Sequence, residues 1–208
     1  LVWCELSSAD RRPAEAIEIA TGVLAAPTAD DLAVAWAASA AALSSARMGR
    51  FADVDTFTER CLSAAHPGLV RYASGLGQVQ TALLAGAITR AEELARHYLG
   101  FAEFEQPGRA IGEVILGQVL MAKGELDAAV TTLRHATAAL RDTGYSWGPM
   151  GLMHLTKALG QQGLSETAAE VLGRAQGSHG MRSELYSPEL HLARAWTLAA
   201  GHDLHGAM

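Results

Sequence analysis

Positive charge is scarce in this chain. Lysine and arginine number 16 against 22 aspartates and glutamates, so 208 residues carry a formal net charge of −6. Lys123 and Lys157 are the only lysines, and no run of cations is longer than Arg11-Arg12. A surface built for nucleic acid carries a basic excess, so this segment is not expected to bind nucleic acid directly. Cysteine is nearly missing as well. Cys4 and Cys61 stand far apart with no CxxC pair and no Cys/His cluster, which argues against disulfide frameworks and zinc folds. Two reduced thiols on helices of a cytoplasmic protein fit that pattern. No apolar stretch approaches the roughly 18 residues of a membrane span, and no signal peptide is recognisable. Proline occurs 6 times, and strand-type alternation is rare, which speaks against a sheet.

What the chain has is alanine and regularly placed glycine. Half of its residues are apolar, 41 of them alanines, the best helix former and the one that lets helices approach closely. Gly49, Gly86, Gly124, Gly163 and Gly201 follow one another at steps of 37, 38, 39 and 38 residues. Each ends one apolar stretch and precedes another helical stretch. This is the mark of a helix-turn-helix repeat array, and it predicts an all-α, right-handed α-solenoid with a period of 37–39 residues.

The third copy shows the unit best. A first helix over about 109–123 carries Ala110, Ile111, Val114, Ile115, Leu116, Val119 and Leu120, at helical steps. Gly124 ends it, as glycine does where the chain turns left-handed. Glu125 and Asp127 open the second helix at its positive dipole end, and it runs on to Leu140. The fourth copy places helices at 146–162 and 165–176 around Gly163. The second places them near 68–85 and 88–103, and the first near 30–48 and 51–64, with Asp30 or Asp31 as N-cap. A helix at 13–25, with Pro13 in its first turn, completes an earlier pair, and a fifth pair begins near Pro188. Loops fall at 26–28, 66–68, 106–108 and 177–188. One repeat domain, 1–208, is expected. Its first residues read as the end of a helix and its last as the start of one, so the chain reads as part of a longer protein.

These residues resemble the tetratricopeptide repeat. The third copy has Leu116-Gly117, Leu120, Gly124, Ala129, Leu133 and Ala136 at that family's positions, and the fourth has Leu155, Leu159, Gly163, Ala168, Leu172 and Ala175. The second keeps Gly86 and Ala91 but has Gln78-Val79 in place of Leu-Gly, and the first has Val54 at the alanine position. The period exceeds the usual 34 residues. In this length, and in stretches such as GELDAAVTTLRHATAALRDTG, the chain looks like the repeat region of bacterial ATP-dependent regulators, the MalT-like members of the LuxR family. That resemblance implies a nucleotide-binding domain before the repeats and a DNA-binding domain after them. The preference for arginine over lysine suggests a high-GC bacterial source.

The tetratricopeptide resemblance implies a concave groove lined by first helices. Its positions fall on Trp36, Ser39 and Leu43; on Leu76, Gln80 and Leu83; on Val114, Gln118 and Met121; on Met153, Lys157 and Gln161; and on His191. This wall is apolar, with a few amides and one lysine. It suits a neutral protein segment, peptide or small inducer, or a packed domain of the same longer chain, rather than an acidic peptide. The alternative is that many of these residues simply fill a tightly wound stack.

Other chemistry reads as structure. His202 and His205, with His191 upstream, lack a clear third metal ligand and read as solvated. Gly75-Leu76-Gly77 lies inside a helical pattern, so helix packing is preferred to a dinucleotide loop. Glu92-Glu93 and Glu103/Glu105 fit solvated helix faces. Trp3, Trp36, Trp147 and Trp196 are expected to pack between helices, with Trp147 alternatively at the groove rim. No Walker motif or nucleophile elbow is present, so no catalytic site and no cofactor are expected. The expectation is a regulatory module of a LuxR-type transcription regulator; the alternative is a constitutive protein-binding scaffold outside transcription.

Overall fold

A computed structural model describes residues 12–65, 68–101, 106–177 and 186–208. Trp3, Cys4, Glu103 and Glu105, singled out above, lie outside the described residues, as does most of the 177–188 connection. Among the described residues there are ten α-helices and no strand: α1 (Pro13–Ala25), α2 (Asp31–Arg47), α3 (Phe51–Leu62), α4 (Arg71–Leu84), α5 (Ile88–Gly100), α6 (Gly108–Ala122), α7 (Leu126–Leu140), α8 (Trp147–Gln161), α9 (Ser165–Gly177) and α10 (Ser187–Ala200). A 3-10 turn, Gly68–Val70, leads into α4. The chain divides into two compact units, Leu1–Tyr98 and Leu99–Met208.

The hairpin turns are built alike. At the first four, a glycine takes a left-handed conformation: Gly49 at φ +72°, Gly86 at +72°, Gly124 at +79° and Gly163 at +78°. The residue after each glycine donates its N–H back five residues, as Glu125 does to the Leu120 carbonyl. This pairing satisfies carbonyls that a helix end leaves open. The fifth turn departs from expectation. Gly201 has φ −84°, and His202, at φ +65°, takes the left-handed place. Asp203 then donates back to Leu198, five residues earlier. The turn is the same motif moved one residue along, with histidine where the other four have glycine.

In the first unit, α2 packs on α1, α3 and α4. Its alanines make this possible: Ala35, Ala37, Ala38, Ala41 and Ala42 have no exposed surface. Asp30 caps α2 by accepting the Ala33 N–H at 2.7 Å, which selects it over Asp31. Proline lies in the first turn of both α1 and α10. The glycines of α4 serve packing. A Cβ at Gly77 would lie 3.1 Å from the Ala42 carbonyl oxygen, and one at Gly75 would lie 2.7 Å from the Tyr98 ring. Cys61 is a free, buried thiol on α3.

In the second unit, α6 pairs with α7 and α8 with α9, while α8 also packs on α7, α6 and α10. Its core is aliphatic rather than alanine-rich: Ile111, Ile115, Leu133, Met150 and Leu159 are fully buried. Close approach again depends on glycine. A Cβ at Gly160 of α8 would lie 2.8 Å from the Trp196 carbonyl oxygen of α10. The unit also buries one carboxylate. Glu113 accepts hydrogen bonds from Arg109 Nε at 3.1 Å and pairs with His135 Nδ1 at 2.6 Å, so both of its oxygens are engaged.

Candidate functional site

The positions named for the first-helix face of the first unit are mostly packed. Leu76 has no exposed surface, Leu43 is buried, and Trp36, Gln80 and Leu83 are half-buried. Ser39 is buried and donates its hydroxyl to the Val70 carbonyl at 3.1 Å. Trp36 packs with Leu24 against the alanines of α2. This row works largely as packing, with Gln80 as its polar, partly open member.

The corresponding face of the second unit is more polar. Val114 and Met153 are fully buried, Met121 is nearly so, Lys157 and Gln161 are half-buried, and His191 is exposed. Gln118 Nε2 and Gln161 Oε1 are buried atoms with no hydrogen-bond partner. His154, one turn before Lys157 on α8, adds a third such atom, its Nε2. Burial pushes the His154 imidazolium down to a pKa of about 3, and the Lys157 charge pushes it the same way. Lys157 is itself held below the usual lysine range by burial, while Glu189 of α10 pulls it back up. His154, Lys157 and Glu189 thus form one electrostatically linked set where α8 meets α10. Trp147 is buried in the first turn of α8, and Trp196 on α10 is exposed.

A separate feature lies on the second helices. A cavity of about 900 Å³ opens between the end of α7 and α9, over the first turns of α8. It shares Thr137, Arg141, Glu170 and Arg174 with an adjoining compartment of about 320 Å³ that reaches Arg134. Together they form one trough. Its floor is apolar, with Pro149 and Leu152 under the larger part and Leu155 under the smaller. Its walls carry the arginines, and Tyr145 stands exposed at the rim. This trough is not legible in the sequence. Its only sequence signals are the helical spacing of Arg134 with Arg141, and of Glu170 with Arg174, each of which reads locally as a solvated face.

No family model matches the chain, and no curated protein matches it. Among solved structures it is similar to a substituted form of a Podosopora anserina protein described as a putative kinesin light chain with nearly identical TPR-like repeats. The sequence identity is 18%, the TM-score 0.50, and the match covers 82% of this chain and 91% of that one. At this identity the likeness concerns the fold, and it places the chain among tetratricopeptide-like α-solenoids.

Proposed function

We propose that the chain is a non-catalytic binding module whose first-helix face in the second unit receives a neutral or apolar protein segment, peptide or small inducer. The observation that supports this most is the presence there of buried, unpartnered polar atoms: Gln118 Nε2, His154 Nε2 and Gln161 Oε1. A buried amide without a partner costs about 1–3 kcal/mol, so a fold that keeps Gln118 and Gln161 in this state has reason to keep them. A ligand that hydrogen-bonds to them would recover that cost. Replacing Gln118 or Gln161 by leucine tests the reading. If the amides are held for a ligand, the unliganded variants melt at or above the parent temperature. A drop of several degrees in both would show that the amides hold the fold together, and would overturn the reading.

The finer reading is a cytoplasmic, LuxR-type ATP-dependent transcription regulator in which this module biases nucleotide- and DNA-binding domains of a longer polypeptide between two states. The support is the resemblance in repeat length and in stretches such as GELDAAVTTLRHATAALRDTG. Such coupling requires the ligand to contact the two states differently. The uninterrupted reading frame that encodes the chain decides it. A Walker motif upstream and a helix-turn-helix downstream would support the regulator; the absence of both would leave a protein-binding scaffold outside transcription.

A further inference from the structure

We infer that the trough between α7 and α9 is a second binding site, distinct from the first-helix face, and that it takes an extended acidic segment of a partner protein. Charge is the first reason. The chain is acidic as a whole, yet Arg134, Arg141 and Arg174 converge on this trough. Arg134 and Arg141 are exposed and have no carboxylate partner among the described residues. Arginines left without partners along an open cavity favour a carboxylate that approaches from outside.

Geometry is the second reason. Arg134 and Arg141 are seven residues apart along the α7 wall. At 1.5 Å per residue their backbones are separated by about 10 Å. An extended chain advances about 3.3 Å per residue, so acids three positions apart span the same distance. The compartment that both arginines line has Leu155 in its floor, which suits an apolar residue. The fitting segment therefore has the pattern acid, two neutral residues with one of them apolar, acid.

Glu170 limits how many acids the trough accepts. It lines both parts of the trough and has no ion-pair partner among the described residues. It lines them together with Arg141 and Arg174, so its charge disfavours any acid beyond the two that Arg134 and Arg141 would hold. Asp142, which also lines the larger part, has the same sign and disfavours a third acid beyond Arg141.

The test is fluorescence anisotropy with the full 208-residue chain and a labelled peptide, Gly-Ser-Glu-Leu-Ala-Glu-Ser-Gly, beside the same peptide with both glutamates changed to glutamine. The acidic peptide is expected to bind, to weaken with added salt, and to bind at least tenfold more tightly than its neutral twin. Arg134→Gln and Arg141→Gln should each weaken it about tenfold. Glu170→Gln should tighten it several-fold, a gain that a misfolded variant does not produce. Equal binding of both peptides, no binding of the acidic one, or indifference to all three substitutions would overturn the inference. Tighter binding of a labelled single-stranded oligonucleotide than of the acidic peptide would also overturn it, because the trough would then act as a general anion surface.

Discussion

Leu133 of α7 fills the space that a side chain at position 117 of α6 would need. A Cβ built on Gly117 lies 2.6 Å from both Cγ and Cδ2 of Leu133, so turning a terminal methyl does not relieve the overlap. The same exchange of small for large recurs in the second repeat in another form. There the equivalent positions are Val79 and Ala95, both fully buried, and the glycine-against-large-residue contact moves one turn along, to Gly75 and Tyr98. The departure of the second copy from the Leu-Gly pattern is thus matched by a change on the facing helix.

This pairing predicts a specific double-mutant result. Gly117→Ala should destabilise the chain by about 1–3 kcal/mol through overpacking, against a helix-propensity gain of at most about 1 kcal/mol. Gly117→Val combined with Leu133→Ala reproduces the second repeat and should recover most of the loss suffered by Gly117→Val alone. Urea melts of the three variants and the parent give the coupling energy. Additive losses would mean that the two positions do not share one volume.

The turns make a second prediction. Nothing lies within 4 Å of a Cβ built at Gly124, so any cost of Gly124→Ala comes from its φ of +79° alone. That cost is about 1–2 kcal/mol. Gly201→Ala, at φ −84°, should be close to neutral. His202→Gly should be stabilising by roughly 1 kcal/mol, since it frees a side chain from the left-handed region. Thermal melts rank the three; equal losses at Gly124 and Gly201 would contradict the shifted fifth turn.

The α2 cap gives a third. Asp30→Ala removes the side-chain acceptor of the Ala33 N–H and should cost about 1 kcal/mol, whereas Asp30→Asn should retain most of the stability. A melt that does not separate the two variants would show that water caps α2 equally well.

The fold was readable because repetition multiplies weak local signals. One glycine after an apolar stretch means little, whereas five at nearly constant spacing fix the hairpins, and α1 begins and ends where the periodicity puts it. Gly201 misled by one residue, because a glycine stands beside the histidine that makes the turn. The site was less readable for a different reason. Val114 and Met153 are fully buried, and how much surface remains around them depends on how closely α6, α8 and α10 approach, which no single helix encodes. His154 gave no signal among aliphatic neighbours. The arginine trough brings together residues from separate repeats, and each of its stripes looks ordinary alone.

His154 makes the stability of the chain depend on pH in a defined direction. Its folded pKa is about 3, while an unfolded histidine titrates near 6.5. Between those values the unfolded chain holds a proton that the folded chain excludes. Stability is therefore full above about pH 6.5 and falls as the solution is acidified toward pH 3, at a limiting rate of about 1.4 kcal/mol per pH unit. The window from pH 6.5 to 5 is the informative one, since Lys157, although shifted down, starts from 10.5. In His154→Leu the slope across that window should largely vanish, and the variant should gain on the parent as pH falls. Urea midpoints at pH 7, 6 and 5 provide the measurement. Parallel lines for parent and variant would mean that His154 takes up its proton in the folded state, and so is not held neutral between α8 and its neighbours.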